Sequence, residues 1–190
     1  DALLPTLKSD LLMIGQSKGK FGGGKRSIWK QTQKKSCEGN KPSFSTLAVV
    51  GNKDGYIGLG LGKAKETVPA REKAVRKAKL TIIKIKRGCG AWACDCATPH
   101  SLPAAVRGKV GSIEVTLIPA PKGTGLCVEK EMKKILDFAG LKDVYGKTKG
   151  HTATKINLML ATFEALKKLS KLKIKEEYNI KAGVIDGARK

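Results

Sequence analysis

The sequence predicts an α+β protein built as two small units, and three observations carry that expectation. Apolar spacing switches between the helical and the strand period in the order helix, strands, helix, then strands, helix, strand, helix. Apolar residues make up 41% of the 190 positions, enough for one or two small cores. A stretch whose only charge is Asp95, residues 88–101, separates two strongly basic regions and marks a junction. The expected divisions are 1–41 for a first helix, basic Gly/Lys-rich loops and a first strand; 42–87 for the core of the first domain; 88–103 for a Cys/His linker; 104–172 for a second α/β domain; and 173–190 for a tail.

Taken in order, Leu3, Leu4, Leu7, Leu11 and Ile14 share one helical face, so residues 1–14 are expected to open as a helix. Residues 15–41, rich in Gly, Lys, Ser and Gln, offer little to bury and read as long flexible loops around a short segment at 28–32. Residues 45–50 and 56–61 flank Asn52-Lys53-Asp54-Gly55 as a β-hairpin, because Asp-Gly supplies the positive φ that tight turns need. In the second strand Gly58, Gly60 and Gly62 alternate with Ile57, Leu59 and Leu61. One face therefore carries no side chains, and another backbone or a helix is expected close against it.

Thr67 as N-cap and Pro69 in the first turn begin a helix to about residue 78 or 80, with Ala70, Ala74, Val75 and Ala78 inward. A strand over 81–86 follows, carrying Ile83 and Ile85 on one face. Beyond the linker, 104–106 and 112–118 read as strands and 128–139 as a helix closed by Gly140 at C′. Residues 144–148 form a short strand, and the last helix runs from Thr152 or Thr154 to about residue 169.

Charge narrows the function. The net charge is +22, spread as +6 over 1–41, +8 over 42–87, −1 over 88–101, +7 over 102–172 and +2 over 173–190. Self-repulsion of this size destabilises a compact state unless a polyanion neutralises it, so the expected partner is nucleic acid met on several sides. Aromatics are only 5% of residues, which favours backbone and shape recognition of folded RNA over single-strand stacking. No apolar run approaches the roughly 18–20 residues that cross a bilayer, and the opening residues lack a basic n-region, so a soluble, unsecreted chain is expected. Five cysteines, Cys37, Cys89, Cys94, Cys96 and Cys127, are an odd set with three crowded together, which suits a reducing compartment better than a disulfide framework.

Several motifs could carry chemistry. Residues 19–26 nearly spell a phosphate-cradling P-loop, but Arg26 stands where the metal-binding hydroxyl belongs and no buried strand precedes it. The better reading is a basic loop in which Lys18, Lys20, Lys25 and Arg26 meet a nucleic-acid backbone. Gly58-x-Gly60-x-Gly62 lacks the dinucleotide spacing. Lys63 and Lys65, then Lys122, then Lys147, Lys149, His151 and Lys155 each stand in a Gly- or Thr-bearing loop ahead of an expected helix, where first-turn N–H groups favour phosphate.

Cys89, Cys94, Cys96 and His100 are the ligand inventory of a tetrahedral structural zinc site. Their irregular spacing equally suits a turn of small neutral thiols packed between domains. No cofactor is otherwise required. A zinc deaminase needs an H-x-E shuttle that neither histidine begins, and no nucleophile elbow points to a hydrolase. An enzyme is not expected.

Taken together, residues 47–67 (LAVVGNKDGYIGLGLGKAKET), 87–104 (RGCGAWACDCATPHSLPA), 111–127 (GSIEVTLIPAPKGTGLC), 139–157 (AGLKDVYGKTKGHTATKIN) and 161–167 (ATFEALK) closely resemble the small-subunit ribosomal protein five family in its archaeal form, which shares the cysteine-and-histidine linker. The resemblance covers about residues 1–12 and 42–170. It implies an N-terminal double-stranded-RNA-binding-like α-β-β-β-α domain and a C-terminal β-α-β-α two-layer domain with a left-handed crossover. It also implies binding to small-subunit rRNA in the cytoplasmic ribosome, beside small-subunit ribosomal proteins three and four around the pore where mRNA enters, and an influence on assembly and decoding fidelity. No catalysis, small-molecule substrate or membrane attachment belongs to the family.

By position, the resemblance makes residues 30–41, with Lys30, Lys34, Lys35 and Lys41, the first strand and the loop that approaches RNA. It places Lys63 and Lys65 in the turn after the hairpin and Lys122, Lys147, Lys149 and His151 in C-terminal loops. Residues 15–41 and 173–190 depart from the pattern. The competing readings are a stand-alone double-stranded RNA-binding regulator, using the hairpin and first helix alone, and a zinc enzyme.

Overall fold

The computed structural model describes residues 4, 6–16, 26–94 and 96–188. These divide into two compact units, one within 9–50 and 58–82, the other within 1–8, 51–57 and 83–190. The α+β class and the two-domain organisation are as expected.

The first unit is formed by strands β1 (Lys8–Leu12), β2 (Lys30–Ser36), β3 (Gly39–Gly51) and most of β4 (Tyr56–Ala64), with helix α1 (Thr67–Leu80). β3 is flanked by β1 and β4, and β2 pairs antiparallel with its first part. The glycine-only face of β4 receives α1. A Cβ on Gly58 would stand 2.1 Å from the Ala78 carbonyl oxygen, one on Gly60 2.3 Å from the Ala74 oxygen, and one on Gly62 2.1 Å from the Ala70 oxygen. Helix backbone thus rests directly on strand backbone, and Ala70, Ala74 and Ala78 are fully buried. The helix is closed at Thr81, whose hydroxyl donates to the Leu59 carbonyl at 2.7 Å.

Three expectations for this unit are corrected. Residues 8–12 form a strand where apolar spacing suggested a helix: pairing along β3 satisfies the backbone, and tertiary hydrogen bonding overrides a weak local preference. Residues 33–36 and 39–41 are not loop but the outer part of a hairpin, invisible to periodicity because both of its faces are solvated. Thr67 is not the N-cap: Glu66 occupies that position, and its side chain makes no capping bond.

The second unit begins with the turn between β3 and β4. Asn52 Oδ1 accepts from the N–H groups of Asp54 at 2.8 Å and Tyr56 at 3.1 Å, while Lys53 and Gly55 take positive φ. The expected strand over 81–86 is two short pieces, β5 (Ile83–Lys84) and β6 (Lys86–Arg87), interrupted at buried Ile85, whose N–H donates to the Gly55 carbonyl at 2.8 Å.

After the linker come β7 (Val106–Val110), β8 (Ile113–Pro119), β9 (Leu126–Cys127), α2 (Lys130–Phe138), β10 (Val144–Lys149) and α3 (Lys155–Lys171). The sheet order is β7-β8-β10-β9, antiparallel except for the parallel β9–β10 pair. The strand expected at 104–106 lies instead at Val106–Val110, where Arg107 and Lys109 alternate with Val106 and Gly108. α3 covers one face of this sheet, and a Cβ on Gly108 would stand 2.0 Å from the Ala161 carbonyl oxygen. α2 ends as expected, with Gly140 at φ 78° and Leu141 N–H donating to the Leu136 carbonyl at 3.0 Å.

The tail contains α4 (Glu176–Lys181) and β11 (Ile185–Asp186), the latter pairing antiparallel with β6. The Tyr178 hydroxyl donates to the Pro103 carbonyl at 2.9 Å. Arg87, 4% exposed, ties the unit together by donating to Asp54 and, at 3.0 Å, to the Gly187 carbonyl.

The close approach of α1 to β4 makes a direct prediction. Gly60→Ala forces a methyl group into helix backbone and should destabilise the full chain by about 1–3 kcal/mol. Urea unfolding reads this as a lowered midpoint, and an unchanged midpoint would show that α1 is not seated on this strand.

Candidate nucleic-acid interface and cysteine cluster

The basic hairpin of the first unit exposes six of the seven residues of β2. Its register sets Lys34 opposite Lys41, Lys35 opposite Asn40 and Lys30 opposite Ser45. Opposed residues of an antiparallel pair project from the same face, so Lys34 and Lys41 are like charges side by side, an arrangement that costs stability until a counter-charge arrives. Glu38, next to the turn, meets Lys41 at 2.8 Å with both side chains exposed, which offsets little in water. Arg26 is half-buried ahead of β2, and Lys18, Lys20 and Lys25 lie outside the described residues.

The three helix starts differ. Lys63 and Lys65 are exposed ahead of α1, whose first turn has no acidic residue and no side-chain cap. α3 is similar: Thr154 at the N-cap turns its hydroxyl to donate to the His151 carbonyl at 2.8 Å, and no acidic side chain lies in the first turn. Lys147, Lys149 and His151 are exposed just before it. At both helices the leading N–H groups lack a side-chain acceptor and favour an anion.

α2 is closed. Glu129 at its N-cap accepts from Glu131 N–H at 3.1 Å, so the protein's own carboxylate already serves the helix dipole. Lys155, expected to face RNA, is turned inward instead: its ammonium pairs with Glu129 at 3.2 Å and its side chain is 12% exposed. Lys122 is exposed, in a loop that leads to β9 and not straight into a helix.

The open face of the C-terminal sheet adds cations that sequence reading missed. Lys149, Glu114 and Lys109 lie in one cross-strand row, Lys147, Thr116 and Arg107 in the next, and Tyr145 and Ile118 in a third. The opposite face, bearing Val115, Leu117 and Val106, is buried. Four cations thus stand on one surface with Glu114, which pairs with Arg107 and, at 3.3 Å, with Lys109. Tyr145 and Ile118 remain 41% and 37% exposed. The alternation of Val106, Arg107, Gly108, Lys109 and Val110 was the available signal.

The linker brings its four expected metal ligands together. The sulfurs of Cys89, Cys94 and Cys96 and a ring nitrogen of His100 all lie within 4.8 Å of one another. The His100 ring meets a carboxylate, its Nδ1 standing 2.7 Å from Asp143 Oδ2. Cys89 and His100 are buried, and Cys94 and Cys96 are half-buried. Burial pushes the Cys89 thiol up to about 11. Burial also opposes ionisation of Cys96, but hydrogen bonds from Thr98, then from Cys94 and Cys89, outweigh it and bring that thiol down to about 6.

A thiol reacts as thiolate, so in chelator-treated protein Cys96 should alkylate readily at pH 7 and slow as pH falls through 6, while Cys89 stays protected until well above pH 9. Mass-spectrometric mapping of iodoacetamide adducts reads the order. Modification of Cys89 ahead of Cys96 would contradict the hydrogen-bond pattern around these sulfurs.

Comparison with known proteins agrees with this architecture. Residues 28–86 match the family model of the ribosomal protein S5 N-terminal domain, and residues 108–178 match that of the ribosomal protein S5 C-terminal domain. The chain is 45% identical over 188 residues to the small ribosomal subunit protein uS5 of Nanoarchaeum equitans, covering 99% of this chain and 80% of that relative. The uS5 proteins of Picrophilus torridus, at 45% over 187 residues, and Methanocaldococcus jannaschii, at 43% over 187 residues, are covered to 78% and 79%. In each case 98% of this chain is aligned. With both domain models matched in order and such identity along nearly the whole chain, the protein belongs to the ribosomal protein S5 family of the small ribosomal subunit.

Proposed function

We propose that the chain is a structural constituent of the small subunit that binds rRNA through the hairpin of its first unit and the open sheet face and helix starts of its second. It neutralises a junction of rRNA helices in the cytoplasmic ribosome. In this reading the hairpin also lines the channel by which mRNA enters, beside small-subunit ribosomal proteins three and four, and so contributes to assembly and decoding fidelity. Its work is binding and positioning, with no reaction of its own.

The observation that carries the reading is the hairpin. A two-stranded ribbon with solvated faces gains little from folding alone, and this one further sets Lys34 against Lys41. A polyanion relieves both costs, and the phosphate backbone of folded RNA is the polyanion that S5-family membership supplies. Lys63, Lys65, Lys122, Lys147, Lys149 and His151 extend the surface, with Arg107 and Lys109 added from the sheet face. Lys155 is left out because Glu129 already holds it.

Binding of the full chain to small-subunit rRNA should weaken with salt. About ten phosphate contacts give a log–log slope near −9, and a slope shallower than about −3 would sink the extended-surface reading. Replacing Lys34 and Lys41 together by Gln should reduce the slope by about 2 and weaken binding alike across RNA sequences. Replacing Lys147 and Lys149 by Gln separates the competing class: a stand-alone double-stranded RNA binder working through the first unit would lose nothing, whereas the ribosomal reading requires weaker rRNA binding and poorer co-sedimentation with the small subunit.

A further inference from the structure

Four side chains that the RNA-facing surfaces do not use converge in the linker. The Cys94 sulfur stands 3.9 Å from His100 Nε2, and the whole set of three sulfurs and one nitrogen lies within 4.8 Å. Ligands of one tetrahedral zinc ion are about 3.5–3.8 Å apart, so a contraction of about 1 Å brings all four onto a shared ion. Cys94-x-Cys96 looks too short for two ligands of one metal. Both sulfurs nonetheless lie within 4.8 Å of each other and of the remaining two ligand atoms.

Two further observations distinguish a built site from a chance gathering of thiols. His100 and Asp143 are each 7% exposed by side chain and meet at 2.7 Å through Nδ1 and Oδ2. The other carboxylate oxygen is fixed by the N–H groups of Gly123 at 3.1 Å and Gly125 at 2.8 Å. A carboxylate so held keeps the proton on Nδ1 and leaves the Nε2 lone pair facing the sulfurs, which is how metal-ligating imidazoles are commonly oriented. The cluster is also anchored from distant chain: Cys89 N–H donates to the Ala182 carbonyl at 2.8 Å and Gly90 N–H to the Leu102 carbonyl at 2.9 Å. A Cβ on Gly183 would meet the Ala97 carbonyl oxygen at 1.9 Å, so the tail backbone presses directly on the turn.

We propose that Cys89, Cys94, Cys96 and His100 bind one structural Zn²⁺, with Asp143 as the positioning residue for His100. Three thiolates and an imidazole fill the tetrahedron and leave no open position for a substrate, so the ion is structural and not catalytic. Binding displaces the thiol protons to solvent and no electrons move. Through Asp143 the ion is linked to the Pro121–Gly125 turn that carries Lys122, and through Cys89 and Ala97 to the tail. None of this depends on whether Lys34 or Lys147 touches RNA.

The test uses the full chain, purified under reducing conditions, with Zn²⁺ and Co²⁺ as probes. One zinc per chain by elemental analysis is expected, together with the intense visible bands of tetrahedral thiolate-bound cobalt after exchange. Cys96→Ser should lose the zinc and the bands, while Cys127→Ser, at an exposed thiol outside the cluster, should keep both. Asp143→Asn should retain the four ligands but weaken zinc about 10–100-fold in chelator competition and shift the cobalt bands. Wild-type protein that takes up neither ion would overturn the site, as would full zinc in Cys96→Ser. Unchanged zinc affinity and bands in Asp143→Asn would overturn the role given to Asp143.

Discussion

Close approach of helix backbone to strand backbone is the constraint on which both units rest. In the first unit, Gly58, Gly60 and Gly62 of β4 meet α1 at Ala70, Ala74 and Ala78; in the second, Gly108 of β7 meets α3 at Ala161 and Ala165. Omitting the Cβ on one side and keeping it to a methyl on the other removes the spacer that ordinary side chains impose. Neither unit has much chain with which to fill a thick core. A thin, dry helix–sheet contact is the solution available to small domains, and it commits one sheet face entirely to the interior.

That commitment leaves the opposite face of the C-terminal sheet to solvent, where strand alternation delivers Arg107, Lys109, Lys147 and Lys149. The same alternation helps so basic a chain to fold, because the cations it delivers stand on an open face, while two cations drawn away from solvent among the described residues are matched. Arg87 has Asp54, and Lys155 has Glu129. Matching also sorts the helix starts. α2 spends Glu129 on its own first turn, whereas α1 and α3 make no side-chain capping bond there. Loops that look alike in sequence therefore differ in what they offer a phosphate, and the difference lies in whether a carboxylate has already taken the amides.

Much of the fold was legible. The glycine stripe of β4, the alanine face of α1 and the Gly140 stop of α2 each rest on a local rule about φ or side-chain volume, and each formed as that rule requires; the turn at Asn52-Lys53-Asp54-Gly55 formed where expected, but its positive φ falls on Lys53 and Gly55 and not on the Asp-Gly pair. The elements that escaped share a different character. β1 is a strand because β3 is there to pair with it, despite helical spacing of its leucines. β2 and the outer part of β3 bury almost nothing and so display no period. The tail joins β6 through a pairing about 100 residues distant.

The sequence by itself determined the family, the two-unit α+β plan, the excess of +22 charges that makes a polyanionic partner the expectation, and the identity of the four cysteine and histidine side chains in the linker. Composition and local spacing suffice for these because they depend on residue type and near neighbours. Tertiary structure alone decided which lysines face outward, that Arg107 and Lys109 share a surface with Lys147 and Lys149, and that Asp143 reaches His100 across 43 residues of chain. Those outcomes turn on strand register and on which acceptor a buried donor finds, and both are settled by contacts between segments that no local pattern encodes.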